Sequence, residues 1–335
     1  MTTDIVVAEN INAPALDELK TVFKVIVDPN LWKSPEKLLA MVADCRALIV
    51  RNQTRVSADL LSGAKRLEVI GRAGTGLDNI DVPAASVAGI VVVNTPDQNS
   101  MSAAELTLAM MLALARKLPQ ADRNVRGGGW DRQRFVGTEL YGKTMGIVGL
   151  GRIGVLVALR ARAMGMHIIA HDAYVSPDSV AVTETHARLV ELDVLLGEAD
   201  FVSCHVPLTA QTAHLFNYEL FKKMKPTAFF LNLARGEVVA EQDLIRALEE
   251  KRIAGAAMDV REQEPPAASG LSAMENVILT PHIAAFTREA QDRVVTSVCR
   301  DVGLVLSGGK AGNFVNFSKP RRNENKTVAS ERILI

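Results

Sequence analysis

The stretch Gly149-Leu150-Gly151-Arg152-Ile153-Gly154 follows directly on the apolar run Thr144-Met145-Gly146-Ile147-Val148. A G-x-G-x-x-G placed between a strand and a helix restricts the backbone more than any other feature of this chain. The first glycine makes the tight turn, the second clears the path of a ligand, and the third lets the helix pack on the strand. The helix start then adds N–H donors and positive partial charge, so the turn suits a pyrophosphate. Residues 152–164 are rich in Ala, Leu and Arg and run to Gly165 at a C-cap position. A second apolar run, 166–170, leads to His171-Asp172, and Asp172 lies 21 residues beyond Gly151. A carboxylate there accepts hydrogen bonds from ribose hydroxyls. Ala173-Tyr174-Val175 bring no Arg or Lys for a 2′-phosphate, so the pattern predicts NAD rather than NADP.

Nearly half of the 335 residues precede this turn, which leaves room for a second domain. Lys+Arg and Asp+Glu balance at 38 each, so no net field draws the chain to nucleic acid or to an anionic membrane. Any anion site has to be built locally. Aromatics are only 4% of residues, too few for base-stacking platforms. Cys45, Cys204 and Cys299 are far apart and odd in number, which predicts neither a disulfide framework nor a metal site and fits the cytoplasm. The N-terminus lacks the basic segment of a signal peptide, and the apolar stretch 106–115 is too short to span a bilayer.

Short β-rich runs alternate with helical patterns from end to end. Strands are expected at 5–8, 25–28, 47–51, 68–70 and 91–93, and after the fingerprint at 201–205, 228–233, 255–260 and 277–280. Helices are expected at 34–45, opened by Ser34, Pro35 and Glu36, at 57–61 and at 241–251. This alternation predicts an α/β chain with two doubly wound parallel-sheet units. A long Ala/Leu/Met helix at 100–118 marks the junction, and a helix at 287–306 comes last. The most flexible stretch is expected at 126–130, with its three glycines, and a loose polar arm from Ser318 onward, with Ile333-Leu334-Ile335 able to dock.

Hydride chemistry with bound NAD needs a cation for the substrate's carboxylate and oxygen, and an acid/base for its hydroxyl proton. Three strand ends beyond the fingerprint offer them. Asn232-Leu233-Ala234-Arg235-Gly236 carries Arg235, Asp259-Val260-Arg261-Glu262-Gln263-Glu264-Pro265 carries acids, and Thr280-Pro281-His282-Ile283 carries His282. All three fall at the C-terminal edge of one sheet, where open α/β sheets bind ligands.

With these motifs the chain resembles the D-isomer-specific 2-hydroxyacid dehydrogenases, most of all their 3-phosphoglycerate branch. Further matching stretches are Gly71 to Asp81, Asn94-Thr95-Pro96, Ser102-Ala103-Ala104-Glu105 and Gly137-Thr138-Glu139-Leu140, so the likeness covers about 45–316. It implies a Rossmann cofactor domain, 99–287, inserted into a flavodoxin-like substrate domain of 1–98 and 288–317, with a tail at 318–335. It implies Arg235, Glu264 and His282 as catalytic residues. His282 would take the hydroxyl proton, and Glu264 would hold the other imidazole nitrogen. The cofactor would be lined by Thr75, Gly149, Gly151, Arg152, Ile153, Gly154, Asp172, His205, Val206, Pro207, Leu233, Ala234, Arg235, Asp259, His282, Ala284 and Ala285. Asp259 would meet its carboxamide end. Arg51, Arg72, Ala73, Gly74, Asn99, Arg235 and His282 would bind substrate, with backbone N–H groups of Gly74 and Thr75 offered to its carboxylate. A homodimer is implied, with contacts at 106–118 and 130–140.

A 3-phospho group is a dianion and needs cations. Arg51 and Arg72 end strands of the first unit, and Arg132 and Arg134 are further candidates, reaching from a partner subunit. Two positions depart from the family pattern: Arg261 stands where an aromatic is usual and adds a cation, and Phe286 stands where a small residue is usual and narrows the pocket. They leave glyoxylate, hydroxypyruvate or a phosphonate oxo acid as alternative substrates. An NAD-sensing, corepressor-like binding protein is the alternative of another class. The end at 335 leaves no room for the regulatory domains of many relatives, so serine feedback through such a domain is not expected.

Overall fold

The structure, a computed structural model, describes residues 3–321. The chain divides into two compact units, Met1–Asn99 with Thr287–Ile335, and Ser100–Phe286.

In the first unit β1 (Ile5–Val7), β2 (Val25–Val27), β3 (Ala47–Val50), β4 (Val69–Arg72) and β5 (Val91–Val93) alternate with α1 (Pro14–Val22), α2 (Pro35–Asp44), α3 (Ala58–Gly63) and α4 (Val82–Val87). The strands pair parallel in the order β2-β1-β3-β4-β5. They read as unbroken apolar runs because helices cover both faces. Ile5, Val7 and Ile49 pack to one side, against α1 and the C-terminal helix Arg288–Leu306, while Val6, Leu48 and Val50 pack to the other, against α2 and α3.

The second unit begins with α5 (Ser100–Ala115) and α6 (Leu118–Arg126), and continues through β6 (Thr144–Val148), α7 (Arg152–Ala163), β7 (His167–His171), α8 (Val180–Thr185) and β8 (Arg188–Leu189). Then come α9 (Leu192–Glu198), β9 (Phe201–Cys204), α10 (Tyr218–Phe221), β10 (Phe229–Asn232), α11 (Glu241–Glu249), β11 (Gly255–Met258) and β12 (Val277–Leu279). Its seven strands are parallel, in the order β12-β11-β10-β9-β6-β7-β8. The chain turns one way from β6 to β7 and the other way from β6 to β9. That switch point is where such sheets take ligands, and the glycine turn sits on it. The expected pair of doubly wound parallel sheets is therefore present.

Four local expectations need correction. The helix expected at 100–118 stops at Ala115. Pro119 four residues on would clash with the Ala115 carbonyl in a continuous helix, and that carbonyl instead accepts the Thr138 N–H at 2.8 Å. Lys117 breaks the chain with φ +50°, and α6 follows through Arg126, so part of the stretch read as flexible is helical. Ser34 stands at the N-cap of α2, yet its hydroxyl takes no helix N–H, whereas Ser57 does cap α3. The arm is not loose at its start: Ser318 accepts the Ala311 N–H and Arg321 N–H reaches the Gly89 carbonyl. Ile333-Leu334-Ile335 lie outside the described residues.

Candidate active site

The turn after β6 is closed on the protein side and open on the other. A Cβ on Gly154 would collide with the Gly149 carbonyl, whereas a Cβ on Gly151 would meet no heavy atom within 4 Å. Gly151 is also the N-cap of α7, and no side chain caps that helix. Arg152 and Ile153 stand in its first turn, where the helix dipole favours an anion. On the neighbouring strand His205 donates its N–H to the Val148 carbonyl at 2.8 Å, so His205, Val206 and Pro207 flank the turn. Burial pushes the His205 imidazole down to about 4, which keeps it neutral, and its Nε2 meets Ser203 Oγ at 2.8 Å.

Asp172 stands one residue past β7. Its Oδ2 accepts the Leu150 N–H of the glycine turn at 2.8 Å, and Oδ1 accepts Tyr174 and Val175 N–H at 2.8 and 3.2 Å. A carboxylate offers about four acceptor sites, so Oδ2 retains one for a ribose hydroxyl. The acid also repels a 2′-phosphate. On these grounds the residues fit NAD.

The trio comes from three successive strand ends of this sheet. After β10, the fully buried Asn232 shapes the turn: its Oδ1 accepts the Ala234 N–H at 3.0 Å and its Nδ2 donates to the Arg235 carbonyl at 2.8 Å. Leu233 is buried beside it, and Arg235 donates Nη1 to the Ala234 carbonyl at 2.7 Å. After β12, His282 pairs Nδ1 with Glu264 Oε2 at 2.7 Å, each side chain about one-third exposed. Burial raises the Glu264 carboxyl, but the His282 bond and charge, the Arg261 N–H and the Arg235 charge outweigh it and hold Glu264 below its ordinary range.

His282 has φ +55°, a left-handed conformation that costs roughly 1–2 kcal/mol. Asp259 holds it there. The Asp259 carbonyl accepts the His282 N–H at 2.7 Å, Oδ1 accepts Thr280 Oγ1 at 2.6 Å and Ile283 N–H at 2.9 Å, and Oδ2 accepts Ala284 N–H at 2.8 Å. Asp259 is fully buried. Its first effect is to shape the loop of His282, Ala284 and Ala285; only Oδ2 keeps capacity for a carboxamide.

The first unit gathers its own set at the ends of β3 and β4. Arg51 is half-buried and bonds the Gln291 side chain. The buried Glu9 accepts the Arg51, Gln53 and Thr54 N–H groups at 2.7, 3.2 and 2.9 Å. Arg72 donates Nη1 to the Ala73 carbonyl at 2.8 Å and lies against Gly74. Thr75 Oγ1 donates to Asn99 Oδ1 at 3.0 Å, so these two expected residues meet.

Some expectations do not survive. The Gly74 N–H is taken by the Arg72 carbonyl at 2.9 Å in a tight turn, so it is not the open donor foreseen. Arg134 pairs with Glu275 at 3.1 Å within its own unit. Arg261 adds no cation to the site: it is buried and paired with Glu241. Residues the sequence reading passed over are Glu9 and Asn232. Each is a polar residue at the end of an apolar strand, and that placement was the available signal. Among the described residues no cluster of His, Cys, Asp or Glu is arranged for a metal, and no helix is long and apolar enough to cross a membrane.

Residues 108–284 match the family model described as D-isomer specific 2-hydroxyacid dehydrogenase, NAD binding domain. The chain is 45% identical to a D-3-phosphoglycerate dehydrogenase of Synechocystis sp. over 93% of its own length and 56% of that protein's. It is 46% identical to one of Methanocaldococcus jannaschii, over 93% and 59%. It thus spans less than two-thirds of the length of these curated relatives. A crystal structure from Thermus thermophilus matches with a TM-score of 0.87 at 34% identity, covering 93% of this chain and 99% of that one. The chain belongs to the D-isomer specific 2-hydroxyacid dehydrogenase family, and residues 108–284 are its NAD-binding domain.

Proposed function

We propose that this protein is an NAD-dependent dehydrogenase interconverting 3-phosphoglycerate and 3-phosphohydroxypyruvate. The observation that carries the reaction is the His282–Glu264 pair, 2.7 Å apart, at the same sheet edge as Arg235 and the glycine turn. Bound NAD supplies the acceptor for the substrate's hydride. With Nδ1–H donated to Glu264, the neutral His282 ring presents Nε2 as its base, and that atom takes the hydroxyl proton. Glu264, ionised across the neutral range, stabilises the imidazolium that results. Arg235 grips the carboxylate and the reacting oxygen with its planar fork. In the reverse direction Nε2 returns the proton.

Two observations support a phosphorylated substrate: Arg51 and Arg72 end adjacent strands, and the relatives at 45–46% identity are named for 3-phosphoglycerate. The test is kcat/KM for 3-phosphohydroxypyruvate against hydroxypyruvate and glyoxylate, with NADH absorbance as the readout. Wild-type protein should prefer the phosphorylated acid, and Arg72→Ala should raise its KM about 10- to 100-fold, the value of a charge-assisted hydrogen bond. A preference for hydroxypyruvate, or an equal KM effect on both, removes the phosphate from this reading.

The partner in this reading is a second copy of the chain. Leu118, Trp130 and Val136 are exposed, Trp130 by 79%, in the segments expected at a dimer contact, and Tyr141 beside them is 76% exposed. Large exposed apolar side chains this close in sequence suit burial against another surface. Light scattering should give a dimer for the wild type and a monomer for Trp130→Asp; a dimer of both puts the contact elsewhere. The three thiols are buried and pushed up to about 12, which suits a reducing, cytoplasmic setting.

A further inference from the structure

We propose that Arg261, through its buried pair with Glu241, is the positioning residue for Glu264 and, through it, for His282. The proposal rests on the reaction assigned above.

A buried guanidinium is costly unless it is fully paired. The Arg261 side chain is 7% exposed and Glu241's 12%, and they meet in a fork, Nη2 to Oε1 at 2.6 Å and Nε to Oε2 at 2.9 Å. Arg261 Nη2 also donates to Ser269 Oγ at 2.7 Å. Two parallel charged bonds fix orientation as well as distance. One end of the fork is anchored: Glu241 opens α11, whose Leu244, Ile245, Ala247 and Leu248 are buried in the core. The tie is doubled one residue along, where Glu262 Oε2 accepts the Glu241 N–H at 3.1 Å.

What the fork immobilises is the Arg261 peptide. Its N–H donates to Glu264 Oε1 at 3.1 Å, while Oε2 of the same carboxylate takes His282 Nδ1 at 2.7 Å. Its carbonyl lies against Gly236 so closely that a Cβ there would collide with it. The Arg261 backbone therefore seats the turn that carries Arg235 on one side and orients Glu264 on the other. The charged groups facing Glu264 are His282 and Arg235, and the Arg261 N–H is a further cause of its lowered pKa.

The test uses the Glu241→Gln/Arg261→Met double variant, because Arg261→Met alone strands a buried carboxylate. Replacing a buried pair as a unit is often neutral for stability. Arg261→Lys, which keeps the charge and loses the fork, is the second variant. Positioning predicts unchanged NADH affinity by fluorescence. It predicts a kcat with 3-phosphohydroxypyruvate lower on the order of 10- to 100-fold in the double variant, with a smaller fall in Arg261→Lys. It also predicts that Glu264 moves up towards the ordinary carboxylate range, read by carboxyl carbon NMR titration of the ligand-free protein, and that the acid limb of kcat/KM moves with it. Variants with wild-type kcat and an unmoved Glu264 titration overturn the proposal and leave the pair a structural tie. If the wild type turns over none of the acids, the assigned reaction fails, while the ligand-free titration still decides the role of Arg261.

Discussion

Replacing His282 with alanine should lower kcat by about 10²- to 10⁴-fold, the usual contribution of a positioned acid/base, and leave NADH affinity within about twofold of wild type. The expectation follows from where the ring is held. Its Nδ1 is committed to Glu264 at 2.7 Å, and its backbone is bent to φ +55° by bonds to Asp259. That arrangement presents one ring atom for proton transfer and gives the ring no structural burden that alanine would fail to meet. Stopped-flow turnover and NADH fluorescence titration on the same preparation check it. A parallel loss of affinity and turnover would mean that the ring builds the cofactor site, and the base would have to be sought elsewhere.

Arg235→Lys should be nearly as damaging, with kcat/KM down about 10²- to 10⁴-fold. Two charge-assisted hydrogen bonds, at about 1.5–3 kcal/mol each, are at stake. Lysine keeps the charge but not the planar fork that spans a carboxylate and a carbonyl oxygen. The turn itself should persist, because Asn232 shapes it through backbone groups rather than through the guanidinium. Steady-state kinetics should therefore show KM rising and kcat falling together. Activity within about threefold of wild type would show that a point charge suffices.

Much of the second unit was legible in the chain because its signals are local. The glycine turn, the apolar runs around it and Asp172 lie within 28 residues of each other, and each is decided by what neighbouring backbone atoms can do. Arg235, Glu264 and His282 were legible for another reason: each lies in the loop that leaves a strand, and parallel sheets bring all such ends to one edge. Where reading failed, the group already had a partner, whether two residues away or twenty. The Gly74 N–H looked open until the tight turn with Arg72 closed it. The loop charge of Arg261 looked available until Glu241, 20 residues earlier, took it. The 100–118 helix looked continuous until Pro119 denied Ala115 its next turn and Thr138 took the carbonyl.

By itself, then, the sequence determined the alternation of strands and helices, the class of nucleotide the middle of the chain accepts, and the three strand-end side chains to which we assign the reaction. Those depend on local periodicity, turn chemistry and residue type. Only the tertiary structure decided which polar groups are already spent. Asp259 is committed to the loop of His282, Glu9 to the loop of Arg51, and Arg261 to Glu241. The physical reason is that a buried charge must find its partner wherever the fold brings one, and sequence distance does not measure that.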